Sequence, residues 1–212
     1  MRGYTHYFWD FDGTLYDTYG LITDLCMEVL AHCGISAPRD EVLRLAKGSI
    51  GDVFTAYCQD ADEHELRGLY NQASEKAGLS GMQLYPGAEK FLRMSHLQGA
   101  QHYLYTHRDN AAIAALKRDG LYPLFTDFIT SEDGFPAKPA PDALNHLMQR
   151  YSLNRRDCVM VGDRAMDLDA AKNAGMDGVL FDPDGFYHDY PAQHRFADYV
   201  SMQTLLKVTA PT

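Results

Sequence analysis

Three things are scarce in this 212-residue sequence: cysteine, basic charge and long apolar runs. The four cysteines, Cys26, Cys33, Cys58 and Cys158, contain no CxxC pair, and a chain of this size needs no covalent staples. Two bridges are possible by count, but the scattered apolar neighbours point to buried thiols and a reducing compartment. Lys and Arg total 19 against 29 Asp and Glu, a net charge of −10, and so acidic a surface repels phosphate backbones and anionic lipid. Nucleic acid is therefore not an expected partner. The first apolar stretch meets Asp10 before it is long enough for a signal peptide, and no later run approaches a membrane span. A cytoplasmic protein without a membrane partner is expected. Gly/Ser, Gln and Pro tracts are absent, as are internal repeats; 46% hydrophobic and 23% charged residues describe an ordinary globular chain. Its length suits one large domain, or one domain carrying an insert.

What is present is a series of short apolar runs, each ending in a polar residue. Tyr7-Phe8-Trp9 runs into Asp10, Tyr103-Leu104-Tyr105 into Thr106, Val159-Met160-Val161 into Gly162-Asp163, and Val179-Leu180-Phe181 into Asp182; Phe125 to Thr130 is a weaker fifth. Helical patterns lie between them at Ala88 to Leu97, Ala111 to Leu121, Pro141 to Tyr151 and Asp167 to Ala174. Strand alternating with helix predicts an α/β fold, a Rossmann-like parallel sheet with helices on both faces. In such open sheets ligands bind beyond the carboxyl ends of the strands, where these polar residues would gather. Thr18 to Leu84 breaks the alternation: it shows amphipathic helical segments, interrupted at Pro38 and Gly48, and no convincing strand. The expected division is a core of residues 1–17 and 85–212 with a small helical domain, 18–84, inserted after the first strand. The tail from Asp182 reads as a loop and a last helix covering the sheet.

Asp10-Phe11-Asp12-Gly13-Thr14 follows the first strand directly. Gly13 lets the chain turn, so the two carboxylates can address one ligand in different roles. An isolated Asp-x-Asp-Gly is equally well a solvated turn; its company argues otherwise. Asp163 ends another apolar run and Asp167 opens the following helix, where an acid is also favoured by the helix dipole. Carboxylates converging on one crevice repel one another, and a hard divalent cation such as Mg²⁺ resolves the repulsion with oxygen ligands. Lys138 sits in the proline-flanked segment Phe135 to Asp142, which lowers the entropy cost of holding its ammonium in the crevice. Thr106 offers a hydroxyl and an N–H to an anion, or is an ordinary cap; His107 and Arg108 beside it are open to either reading.

These four motifs, in this order and over nearly the whole chain, resemble the haloacid dehalogenase superfamily of phosphotransferases, in its capped phosphatase branch. The resemblance implies Asp10 as nucleophile, forming an aspartyl-phosphate, and Asp12 as acid and base, protonated at the outset. It implies metal ligation by the Asp10 carboxylate, the Asp12 carbonyl and Asp163, with Asp167 in support and Mg²⁺ as cofactor. Thr106 and Lys138 would hold phosphoryl oxygens. The helical insert is similar to a cap of that family, and Leu45 to Ser49 resembles its specificity loop; Lys47 and Ser49, with His107 and Arg108, are candidates for touching substrate.

The expected activity is Mg²⁺-dependent hydrolysis of a small phosphorylated metabolite. A phosphomutase of the beta-phosphoglucomutase type shares the same chemistry up to the second acceptor. A dehalogenase fits less well, because halide leaves without a proton and Asp12 would then have no task. A non-catalytic phosphoacceptor module fits least, because the Asp pair follows the first strand and a helical insert comes next. The sequence leaves the oligomeric state open.

Overall fold

The apolar runs that end in polar residues are the strands of one parallel sheet. In the computed structural model, which describes residues 3–205, the strands are β1 (His6–Trp9), β2 (Tyr16–Asp17), β3 (Gln83–Leu84), β4 (Gln101–Tyr105), β5 (Phe125–Ile129), β6 (Cys158–Gly162), β7 (Asp177–Phe181) and β8 (His194–Phe196). The helices are α1 (Tyr19–His32), α2 (Arg39–Gly48), α3 (Ile50–Tyr57), α4 (Glu63–Ala77), α5 (Ala88–Leu97), α6 (Ala111–Arg118), α7 (Asp142–Arg150), α8 (Ala165–Asn173) and the short α9 (Tyr199–Met202). Six strands pair in the order β5-β4-β1-β6-β7-β8, every pair parallel, which makes the fold α/β.

The chain divides into two compact units, one running to Tyr16 and resuming at Leu84, the other Asp17–Gln83. In the first, β1 alternates: Phe8 joins Tyr103, Met160, Leu144, Leu147 and Ala170 in a core with α7 and α8 on one face. Tyr7 and Trp9 turn the other way, Trp9 meeting Phe91 of α5 and Tyr199 of α9 at ring-centroid distances of 5.6 and 6.2 Å. Both faces of the sheet are thereby covered, and every residue of β6 is buried, as a central parallel strand requires. The second unit is helical, its own core formed by Leu25, Val29, Leu30, Val42, Phe54 and Leu66. Among the described residues, no helix is long and apolar enough to cross a membrane.

Two segments depart from the sequence-based expectation. Pro38 and Gly48 do not interrupt a helix but frame one: Pro38 is the N-cap of α2 and Gly48 its last residue, with Asp40 and Glu41 in the first turn and Lys47 in the last, as the dipole favours. Leu45 to Ser49 is thus helix end and cap, not a loop; Ser49 Oγ accepts the Asp52 N–H at 3.0 Å and opens α3. In the tail, His194–Phe196 adds a sixth strand beside β7 before α9 begins. Three half-buried residues, two of them polar, at a sheet edge leave no apolar run to read. The end of that tail, 206–212, lies outside the described residues.

Candidate active site

The strand order sets the site. From β1 the chain first winds to β4 and β5 on one side, then crosses to β6 and β7 on the other, so the reversal falls at β1. In register, Trp9 lies opposite Leu104 of β4 and Val161 of β6. Asp10, one residue on, therefore stands level with the ends of both neighbours, beside Thr106 and Asp163. The Asp10 N–H still continues the ladder to the Val161 carbonyl at 3.0 Å, which anchors the residue at the strand tip.

A tight turn follows. The Phe11 carbonyl accepts N–H groups from Leu15 and Tyr16 at 3.1 and 3.0 Å, and Gly13 takes φ +75°, a left-handed conformation that a side chain would strain. This turn buries Thr14 and aims its hydroxyl at Asp163 Oδ1, 3.2 Å away. Lys138 arrives from the loop before α7. Its Nζ donates to Asp10 Oδ1 at 2.6 Å, to Asp167 Oδ1 at 2.7 Å and to the Tyr105 carbonyl at 3.2 Å, which uses all three ammonium protons. Its side chain is fully buried. Asp167 is held from a second side by the Arg164 N–H, 3.0 Å from Oδ2, and Arg164 stands 4.0 Å from Asp10 Oδ2.

Residues 106–108 hold three different parts of this assembly. Thr106 Oγ1 accepts the Arg108 N–H at 3.1 Å, which leaves the hydroxyl proton for another acceptor. His107 Nε2 accepts the Lys138 backbone N–H at 2.9 Å, so the ring is neutral with its proton on Nδ1. Burial first, then Lys138 and Arg164, press its pKa down to about 4. The Arg108 guanidinium donates from Nε to both oxygens of Asp12, at 2.9 and 3.0 Å, and from a terminal nitrogen to Oδ1 at 2.7 Å. Both Asp12 oxygens accept, the pattern of an ionised carboxylate, whereas the sequence reading required a protonated one at the outset.

Charge in the cluster is nearly but not fully balanced. Asp10, Asp163 and Asp167 bring ligand atoms within 4.8 Å of one another, against Lys138 and Arg164. Burial pushes the Asp10 carboxyl up, against the pull of Lys138, and Asp167 adds to the rise. Lys138 is held above its ordinary value, because Asp10 and Asp167 outweigh the burial that opposes its charge. Asp10 Oδ2 is buried and accepts no hydrogen bond. An orphaned carboxylate oxygen costs free energy unless something positive meets it, and an all-oxygen acidic cluster suits a hard divalent cation. The residues present fit such an ion.

Comparison with known proteins agrees with this geometry. The profile of the haloacid dehalogenase-like hydrolase family matches residues 7–181. The chain belongs to that family. It is similar to a phosphoglycolate phosphatase of Vibrio cholerae, 29% identical over 216 aligned positions that cover 94% of each chain, and to one of Vibrio parahaemolyticus, 28% identical and covering 95% and 94%. A hydrolase from Streptococcus pneumoniae superposes with a TM-score of 0.66 at 26% identity, covering 96% of this chain and 98% of its own. A second pneumococcal haloacid dehalogenase-like protein, 18% identical over 96% and 99% of the two chains, gives 0.79 and shares the fold. This member of the hydrolase family is thus an enzyme.

Of the residues singled out from sequence, Asp10, Asp12, Thr106 and Asp163 lie at strand ends or just beyond them, Lys138 in the loop before α7 and Asp167 in the first turn of α8, all in the sheet unit. His107 supports the Lys138 loop. Lys47 and Ser49 belong to the helical unit, where Lys47 Nζ lies 5.5 Å from the Tyr19 ring and Ser49 is a helix cap. Thr14, Arg164 and the pairing of Arg108 with Asp12 were not legible. Gly162 carried a signal that could have been read: a Cβ there would collide with the Asp167 carboxylate, and the Gly-Asp pair at the end of an apolar run hints at such a close approach.

Proposed function

We propose that this enzyme is a Mg²⁺-dependent phosphatase acting on a small phosphomonoester through an aspartyl-phosphate on Asp10. The observation that carries the reading is Asp10 itself: buried, fixed through Oδ1 by Lys138, with Oδ2 unpartnered. One oxygen of the Asp10 carboxylate bonds to phosphorus as the ester P–O bond breaks, and the electron pair leaves on the departing oxygen, which takes the proton that Asp12 acquires as the substrate binds and leaves Asp12 a carboxylate. In the second half, Asp12 takes a proton from water, the water oxygen bonds to phosphorus, and the bond to Asp10 breaks to return the carboxylate. Lys138 neutralises charge on the Asp10 side, and the Thr106 hydroxyl offers a proton to a phosphoryl oxygen. Asp10, the Asp12 carbonyl and Asp163 would hold Mg²⁺, with Asp167 positioning Lys138; the bound ion supplies positive charge to the anions that must approach one another.

Relatives named phosphoglycolate phosphatase, aligned along nearly the whole chain, support water as the final acceptor and make phosphoglycolate the first substrate to try. The free thiols support a reducing compartment such as the cytoplasm. The test is phosphate release from an aryl phosphate and from a panel of small phosphomonoesters, with Mg²⁺ and after chelation. Asp10→Asn should lose at least about a thousandfold in kcat and Asp12→Asn about 10²- to 10⁴-fold, both remaining folded. A folded, Mg²⁺-supplied wild type that releases no phosphate from any of them overturns the reading. Isomerisation of a hexose phosphate without net phosphate release would redirect it to a mutase.

A further inference from the structure

The geometry points to Arg108 as the positioning residue of Asp12, a role that rests on the proposed function and extends it. Asp12 lies beside Gly13 in a tight turn, yet its carboxylate is only 18% exposed, and Arg108, 8% exposed, donates three hydrogen bonds that orient it. A guanidinium fork matches a carboxylate in plane and in spacing, so it fixes orientation as well as position. Arg108 is itself fixed. Its N–H is bonded to Thr106 Oγ1, and its guanidinium carbon lies 5.8 Å from the Phe11 ring, the residue between Asp10 and Asp12.

The consequence is a division of labour between two cations. Lys138 fixes the oxygen of Asp10 that faces it, and Arg108 fixes the acid two residues later, so the relative direction of the two carboxylates is set by residues 96 and 128 positions away in sequence rather than by the Asp-x-Asp backbone. Proton transfer at the leaving oxygen and at the attacking water depends steeply on that direction. Lysine in place of Arg108 would keep the charge and lose the fork.

The experiment is a double-mutant cycle on the intact enzyme with Mg²⁺ and an aryl phosphate, using Arg108→Ala, Asp12→Asn and the pair, with Arg108→Lys alongside. Arg108→Ala should lower kcat about 10- to 100-fold with KM held within about twofold, and Arg108→Lys should recover only part of it. The pair should be no slower than Asp12→Asn alone, since a residue acting through Asp12 has nothing left to act on. Millimolar methylguanidinium should restore kcat of Arg108→Ala and leave Asp12→Asn unchanged, a rescue that a purely structural defect would not give. Losses that add in the pair, or a rise in KM at unchanged kcat, would overturn the proposal and make Arg108 a substrate contact. If Arg108→Ala fails to fold, the lysine variant carries the same cycle. Absence of phosphate release by the wild type would remove the phosphatase reading, and this proposal with it; turnover with an additive cycle removes this proposal alone.

Discussion

Within the sheet, His102 receives the Trp9 indole N–H on Nδ1 at 3.0 Å and lies 3.2 Å from Ser95 Oγ through Nε2. Ser95 passes its own proton to the Phe91 carbonyl at 2.7 Å, so the ring must donate from Nε2 and is neutral. Burial, reinforced by His96, drives its pKa down to about 3. The unfolded chain takes up this proton near pH 6.5 and the folded one only near 3, so the stabilisation is complete above 6.5 and is lost as pH falls between the two values. Between pH 6.5 and 5 the loss from this one group is about 2 kcal/mol. Urea midpoints at pH 7 and 5 check it: His102→Asn should show a smaller drop than wild type, and an equal drop would assign the acid sensitivity to other groups. At this scale the sequence disclosed side chains whose task depends on strand ends, since an apolar run that stops at Asp10 or Asp163 marks its own exit. It concealed those whose task depends on where a turn swings them. Arg108 and Thr14 reach Asp12 and Asp163 across 96 and 149 positions, and no local pattern records such a meeting.

The segment from β6 into α8 shows how closely two elements can be fitted. Gly162 ends the strand where the Asp167 carboxylate of the helix presses against its backbone, and a methyl group at 162 has no room. Gly162→Ala should therefore push Asp167 away from Lys138 and lower phosphate release at least about tenfold, at a stability cost of about 1–3 kcal/mol that leaves the protein folded at 25 °C. Unchanged turnover would mean that Asp167 need not be held where it is. The five strands with apolar runs and the four helices α5 to α8 of the sheet unit were legible because burial on both faces writes itself as continuous hydrophobicity. α2 was hidden because Pro38 and Gly48 were read as breaks, although proline before a first turn and glycine at a last turn are what a helix boundary also looks like. β8 was hidden because an edge strand of three half-buried residues need not be apolar.

For the molecule as a whole, a cation held by the acidic cluster is linked to folding, since the unfolded chain offers no such cluster. Mg²⁺ at a hundred times its dissociation constant should stabilise the protein by about 2.7 kcal/mol. Thermal unfolding with and without the ion reads this directly, and Asp163→Asn should abolish the shift; an undiminished shift in that variant would place the ion elsewhere. What the sequence could not supply at this scale was strand order, because nothing local says that β1 lies between β4 and β6.

That central placement has a bearing on biosynthesis. The strand that carries Asp10 is made about 150 residues before one of its two neighbours, Trp9 pairing with Val161. A nascent or prematurely terminated chain ending before Cys158 possesses the proposed nucleophile and the lysine but neither Asp163 nor Asp167. On the proposed mechanism, fragments released before Asp167 is made should be catalytically silent.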